Sequence, residues 1–67
     1  MTYKYKSGNV ILLFEPYAEK QFELKTVTEI SQDYGFFYRL DGRAWQSAEI
    51  IEGYSILATE AEILLYT

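Results

Sequence analysis

Hydrophobic and polar positions alternate from the first residues, where Lys4 and Lys6 separate Tyr3 from Tyr5 and the next turn. A period of two suits a half-buried strand. Ser7-Gly8-Asn9 reads as a turn, and the run that follows, VILLF at 10–14, is apolar on both sides. Such a run predicts a strand covered from both faces, because Pro16 comes too soon for a long helix. EPYAEKQ is then a loop. In FELKTVTEI, Phe22, Leu24 and Thr26 fall on one side of a strand, with Glu23, Lys25 and Val27 on the other. Val27 and Ile30 cannot share a face in a regular strand, so a bulge or bend is expected between Val27 and Glu29.

The segment DYGFFYRLDGRAWQ, 33–46, follows a turn-rich SQDYG. Asp41-Gly42 predicts a type I′ hairpin, whose two central residues need positive φ. With those two as the loop, Leu40 faces Arg43, Tyr38 faces Trp45 and Phe36 faces Ser47. Leu40, Tyr38, Phe36 and Trp45 then line the core side, with Phe37, Arg39, Ala44 and Gln46 outside. Beyond Trp45 the pattern reads as a short strand to Ile51, a turn at Gly53, a strand through Leu57 and a last strand over Ile63–Tyr66. Thr59 and Glu62 have capping-box spacing, which leaves room for one helical turn over 59–62.

Composition narrows the function classes. The chain has 67 residues, no Cys and no His, so it is expected to form a single domain over 1–67, without disulfides or the usual zinc sites. A core this small is marginal, which raises the expectation of self-association. Six basic and six acidic residues balance over 1–43, whereas 44–67 hold Glu49, Glu52, Glu60 and Glu62 and no basic residue. The net charge of −4 opposes binding to a phosphate backbone, and nucleic acid is not the expected partner. The apolar run at 10–14 is too short for a signal-peptide core or a membrane span. A cytoplasmic protein is the expectation.

The stretches SGNVILLF, FELKTVTEI, FFYRLDGRAW and SAEI together resemble small SH3-like β-barrels of bacterial and phage type. The resemblance covers about residues 7–52 and rests on element order, not on a diagnostic motif. It implies an all-β, five-stranded antiparallel barrel. SH3-like barrels bind peptides, nucleic acids or proteins, and some are inert modules, so the fold leaves function open. Signalling SH3 domains grip Pro-rich ligands with clustered Tyr and Trp. Here only Glu15-Pro16-Tyr17 stands in the early loop, and that specificity is not carried over.

Cys-His and Ser-His-Asp catalysis cannot be built without Cys and His, no calcium-loop pattern occurs, and the four glycines are isolated. No enzyme activity, cofactor or metal is expected. What remains is ring surface: seven Tyr, four Phe and one Trp. Phe14, Phe22, Phe36, Tyr38 and Trp45 are expected to fill the core. The surplus predicts a surface that binds protein, either a partner or a second copy, since exposed aromatics near Arg are interface composition. Phe37, Arg39, Tyr34, Tyr17 and Tyr54 are the candidates. The alternative is a small acidic inhibitor from a phage or mobile element that occupies a host enzyme's nucleic-acid site, with Glu49, Glu52, Glu60 and Glu62 as its surface.

Overall fold

A computed structural model describes residues 3–31, 33 and 35–67. Among them, five strands and two short helices follow in the order β1 (Val10–Phe14), β2 (Phe22–Ser31), β3 (Phe37–Leu40), β4 (Trp45–Ser47), α1 (Ala48–Gly53), β5 (Ser55–Leu57) and α2 (Glu60–Tyr66). The strands form one antiparallel sheet ordered β4-β3-β2-β1-β5. The sheet is not closed, because β4 and β5 remain its two edges.

β2 is the hinge of this arrangement. Its first half pairs with β1, Leu12 opposite Leu24, and its second half with β3, Ile30 opposite Tyr38. The register shifts between Val27 and Glu29, where the sequence pattern loses phase. The extra residue, Thr28, points to the hairpin turn: its hydroxyl donates to the Arg39 carbonyl at 3.0 Å and accepts from the Gly42 N–H at 2.9 Å. The bend folds the sheet over one core, in which Ile11, Leu13, Val27, Tyr38, Leu40, Ala48 and Ile51 are buried.

The turn at Asp41-Gly42 has the predicted positive φ at both residues, 54° and 70°. The register beyond it differs from expectation. Trp45 stands opposite Arg39, and Gln46 opposite Tyr38, because the β4 side carries one residue more than a two-residue hairpin allows. A one-residue slip sends every side chain to the other face. Trp45 therefore leaves the core and is 38% exposed. Tyr5 supplies the ring in its place: it is buried, and it and Tyr3 pack on Tyr38 with centroids 5.7 and 5.2 Å away. Tyr3 and Tyr5 point inward and Lys4 is exposed, as the alternation predicts, yet this segment is not a strand.

The C-terminal third is also corrected. Residues 48–51, expected as strand, begin α1, which buries Ala48 and Ile51. Ile63–Tyr66, expected as a last strand, belongs to α2, so the helical turn allowed over 59–62 extends to Tyr66. Thr59 and Glu62 complete a reciprocal capping box: the Glu62 N–H donates to Thr59 Oγ1 at 3.2 Å, and the Thr59 N–H to Glu62 Oε1 at 2.9 Å. That closure satisfies two amides that a helix start leaves open. α2 lies over the outer side of the β1–β2 pair, with Tyr66 5.8 Å from Phe22, which itself packs edge-on against Phe14 at 5.5 Å.

Candidate protein-binding surface

The expected binding residues fall into two groups. Phe37 and Arg39 alternate with the buried Tyr38 and Leu40 along β3, so both face outward. The register places Trp45 beside Arg39 on the same face. The Arg39 guanidinium lies over the indole, 4.5 Å from its centroid, and Nη1 donates to Glu29 Oε1 at 2.7 Å. Ring and carboxylate together hold the guanidinium in place, as expected for a cation over a π-face. Arg39 Nε is buried without a hydrogen-bond partner. Phe37 is half-buried, and its ring covers Gly35: a Cβ built there would stand 3.2 Å from Cε2.

Tyr17 and Tyr54 form the second group. Tyr17 lies in the β1–β2 loop and Tyr54 at the end of α1. The backbone brings them together through the Phe14 N–H, which donates to the Tyr54 carbonyl at 2.8 Å. Their rings meet edge to face at 4.9 Å, and both residues are exposed. Tyr17 also walls a shallow cleft of about 150 Å³. Buried Leu13, Leu40 and Ile51 line it, with Lys25 and Arg43. Lys25 is engaged there, 2.8 Å from Glu23 and 3.6 Å from Asp41. The hydrogen bond to Glu23 is the main reason that the lysine pKa is raised, and Lys25 holds the Glu23 carboxyl below its ordinary value. Tyr34, the fifth candidate, lies outside the described residues.

The four C-terminal glutamates have unequal environments. Glu49 and Glu60 are exposed. Glu62 is spent on the α2 cap. Glu52 turns toward the core, where it accepts from the Tyr38 hydroxyl at 2.5 Å and from the Lys4 N–H at 3.0 Å. The Tyr38 oxygen in turn accepts from the Tyr5 N–H at 3.2 Å, and the Tyr5 hydroxyl meets Ser55 Oγ at 2.8 Å. Burial, then the bond to Glu52, raises the Tyr38 pKa well above the tyrosine range. This buried network is structural, tying the N-terminal segment to α1 and β5. Sequence reasoning missed it, since nothing in spacing joins residues 5, 38 and 52.

No family model, no curated protein and no solved structure matches the chain. Among the described residues, no helix is long and apolar enough to cross a membrane.

Proposed function

We propose that the chain is a non-catalytic interaction module that binds another protein through exposed aromatic residues, with Trp45, Arg39 and Phe37 as the contact. The observation that carries this reading is the outward-facing Arg39–Trp45 stack. Trp and Arg are the side chains most often found at energetic centres of interfaces. A guanidinium already held against a ring and a carboxylate loses little freedom when a partner covers it. The bent β2, shared between two halves of one sheet, supports reading the fold as an SH3-like barrel. The acidic-inhibitor alternative has less support, because two of its four glutamates are committed to internal hydrogen bonds.

Trp45 is the one tryptophan of the chain, so its fluorescence reports on this face directly. Proteins captured from the native host by the wild-type chain should be lost with Trp45→Ala and with Phe37→Ala. Binding of a captured protein should also shift the Trp45 emission. Retention of the same proteins by both variants, with unchanged emission on binding, would sink the proposal.

A further inference from the structure

The register slip that turns Trp45 outward turns Gln46 inward. Gln46 stands opposite buried Tyr38, and residues opposed across two strands share a face. An amide therefore occupies a core-side position that the expected register gave to an indole. Because the sheet is bent but open, this end of its inner side is not filled. The cleft of about 150 Å³ lies there, with Leu13 of β1, Leu40 of β3 and Ile51 of α1 as its floor. Arg43, Ala44 and Gln46, all exposed, line it where the chain passes from the hairpin turn into β4.

We propose that this cleft binds a small monocarboxylic acid carrying one apolar ring, with the ring on the Leu13–Leu40–Ile51 floor and the carboxylate on Arg43 and Gln46. Volume sets the size of the ligand. A cavity of comparable volume lined by Leu, Ile and Phe side chains takes one benzene ring, and the Tyr17 ring that walls the cleft offers an aromatic ligand an edge or a face. Charge sets the head group. The ion pairs of the described residues use Lys25 and Arg39, so Arg43 is the cation of the cleft with no carboxylate of its own among them. Its planar fork matches a carboxylate, and the Gln46 amide has N–H donors to add beside it. Lys25 and its partners Glu23 and Asp41 carry a net −1, which Arg43 offsets. The local balance suits one negative charge on the ligand and opposes a second. This site is on the inner side of the sheet, whereas Phe37, Arg39 and Trp45 face outward, so the two proposals stand or fall separately.

Backbone amide chemical shifts, followed while phenylacetate is added to the full chain, test the idea. Phenylacetamide serves as the uncharged match, and phenyl phosphate, doubly charged above about pH 7, as the dianion. Saturable shifts at Leu40, Arg43, Ala44 and Gln46 are expected, with a dissociation constant on the order of 0.1–1 mM for so few ligand atoms. Both comparison compounds should bind roughly fivefold more weakly, and Arg43→Gln should weaken phenylacetate by about the same factor. Ala44→Leu, which fills the cleft, should abolish binding. Arg43 and Ala44 are exposed, so both variants should keep the wild-type melting temperature; if Ala44→Leu does not, Ala44→Val replaces it. Phenylacetamide or phenyl phosphate binding as tightly as phenylacetate would overturn the proposal. So would a folded Arg43→Gln chain that binds like the wild type, shifts centred on Phe37 and Arg39, or no saturable shift up to about 10 mM.

Discussion

Replacing Tyr38 by Phe isolates the buried network, because the ring stays and only the hydroxyl goes. Two hydrogen bonds are lost with it. The Glu52 carboxylate loses a donor at 2.5 Å, and the Tyr5 N–H, in a residue 1% exposed, loses its acceptor. A hydrogen bond to a charged group contributes ~1.5–3 kcal/mol and an orphaned buried donor costs ~1–3 kcal/mol. Glu52 is half-buried and keeps the Lys4 N–H, so water recovers part of the first loss; the net cost is about 3 kcal/mol. A domain this size has roughly 3–10 kcal/mol in all. The melting temperature should fall by ~12–24 °C, at about 4–8 °C per kcal/mol. Thermal melts and urea titrations followed by circular dichroism measure it, and the urea slope should not change. The pH dependence adds a second arm. The folded-state pKa of Tyr38 is raised, so its hydroxyl keeps a proton that the unfolded chain releases above the ordinary value of 10.0. The stabilisation is thus complete below that pH and declines above it. The gap between wild type and Tyr38→Phe should narrow once the solution passes that point. A variant melting within a few degrees of wild type at neutral pH would refute the reasoning.

Thr59→Ala removes one half of the capping box and should cost ~1 kcal/mol of local helix stability, read as about fivefold faster hydrogen exchange at the Glu62 and Ile63 amides; unchanged exchange would show the cap to be idle. Gly42→Ala meets no atom within 4 Å, so only its φ of +70° opposes it, and a loss of ~1–2 kcal/mol is expected. Gly35→Ala should cost more, since its φ is +119° and the Phe37 ring stands in the way. Urea midpoints of the two variants in the reverse order would contradict this account.

Local signals account for much of what the chain makes known about itself. The VILLF strand, the loss of phase at Val27–Glu29, the Asp41-Gly42 turn and the Thr59–Glu62 cap depend on neighbours a few residues apart, and each stands where the pattern puts it. The candidates Phe37 and Arg39 face outward for the same reason, since alternation along a strand is a property of the backbone. After Trp45 the local pattern failed at 48–51, which it read only as strand, and left two readings open only from Thr59 onward; packing decided both. Residues 48–53 become helical where Ala48 and Ile51 reach the core, and 60–66 where the cap and the Phe22 face support them.

Tertiary structure alone decided which ring belongs inside. A hairpin register differing by one residue can keep the same Asp41-Gly42 turn, but it reverses every side chain of β4 while those of β3 stay where alternation puts them. The choice depends on Tyr5 filling the space beside Tyr38, and on Arg39, held by Glu29, offering Trp45 a surface to stack on. These partners are brought together from distant parts of the chain, and no local pattern encodes such meetings.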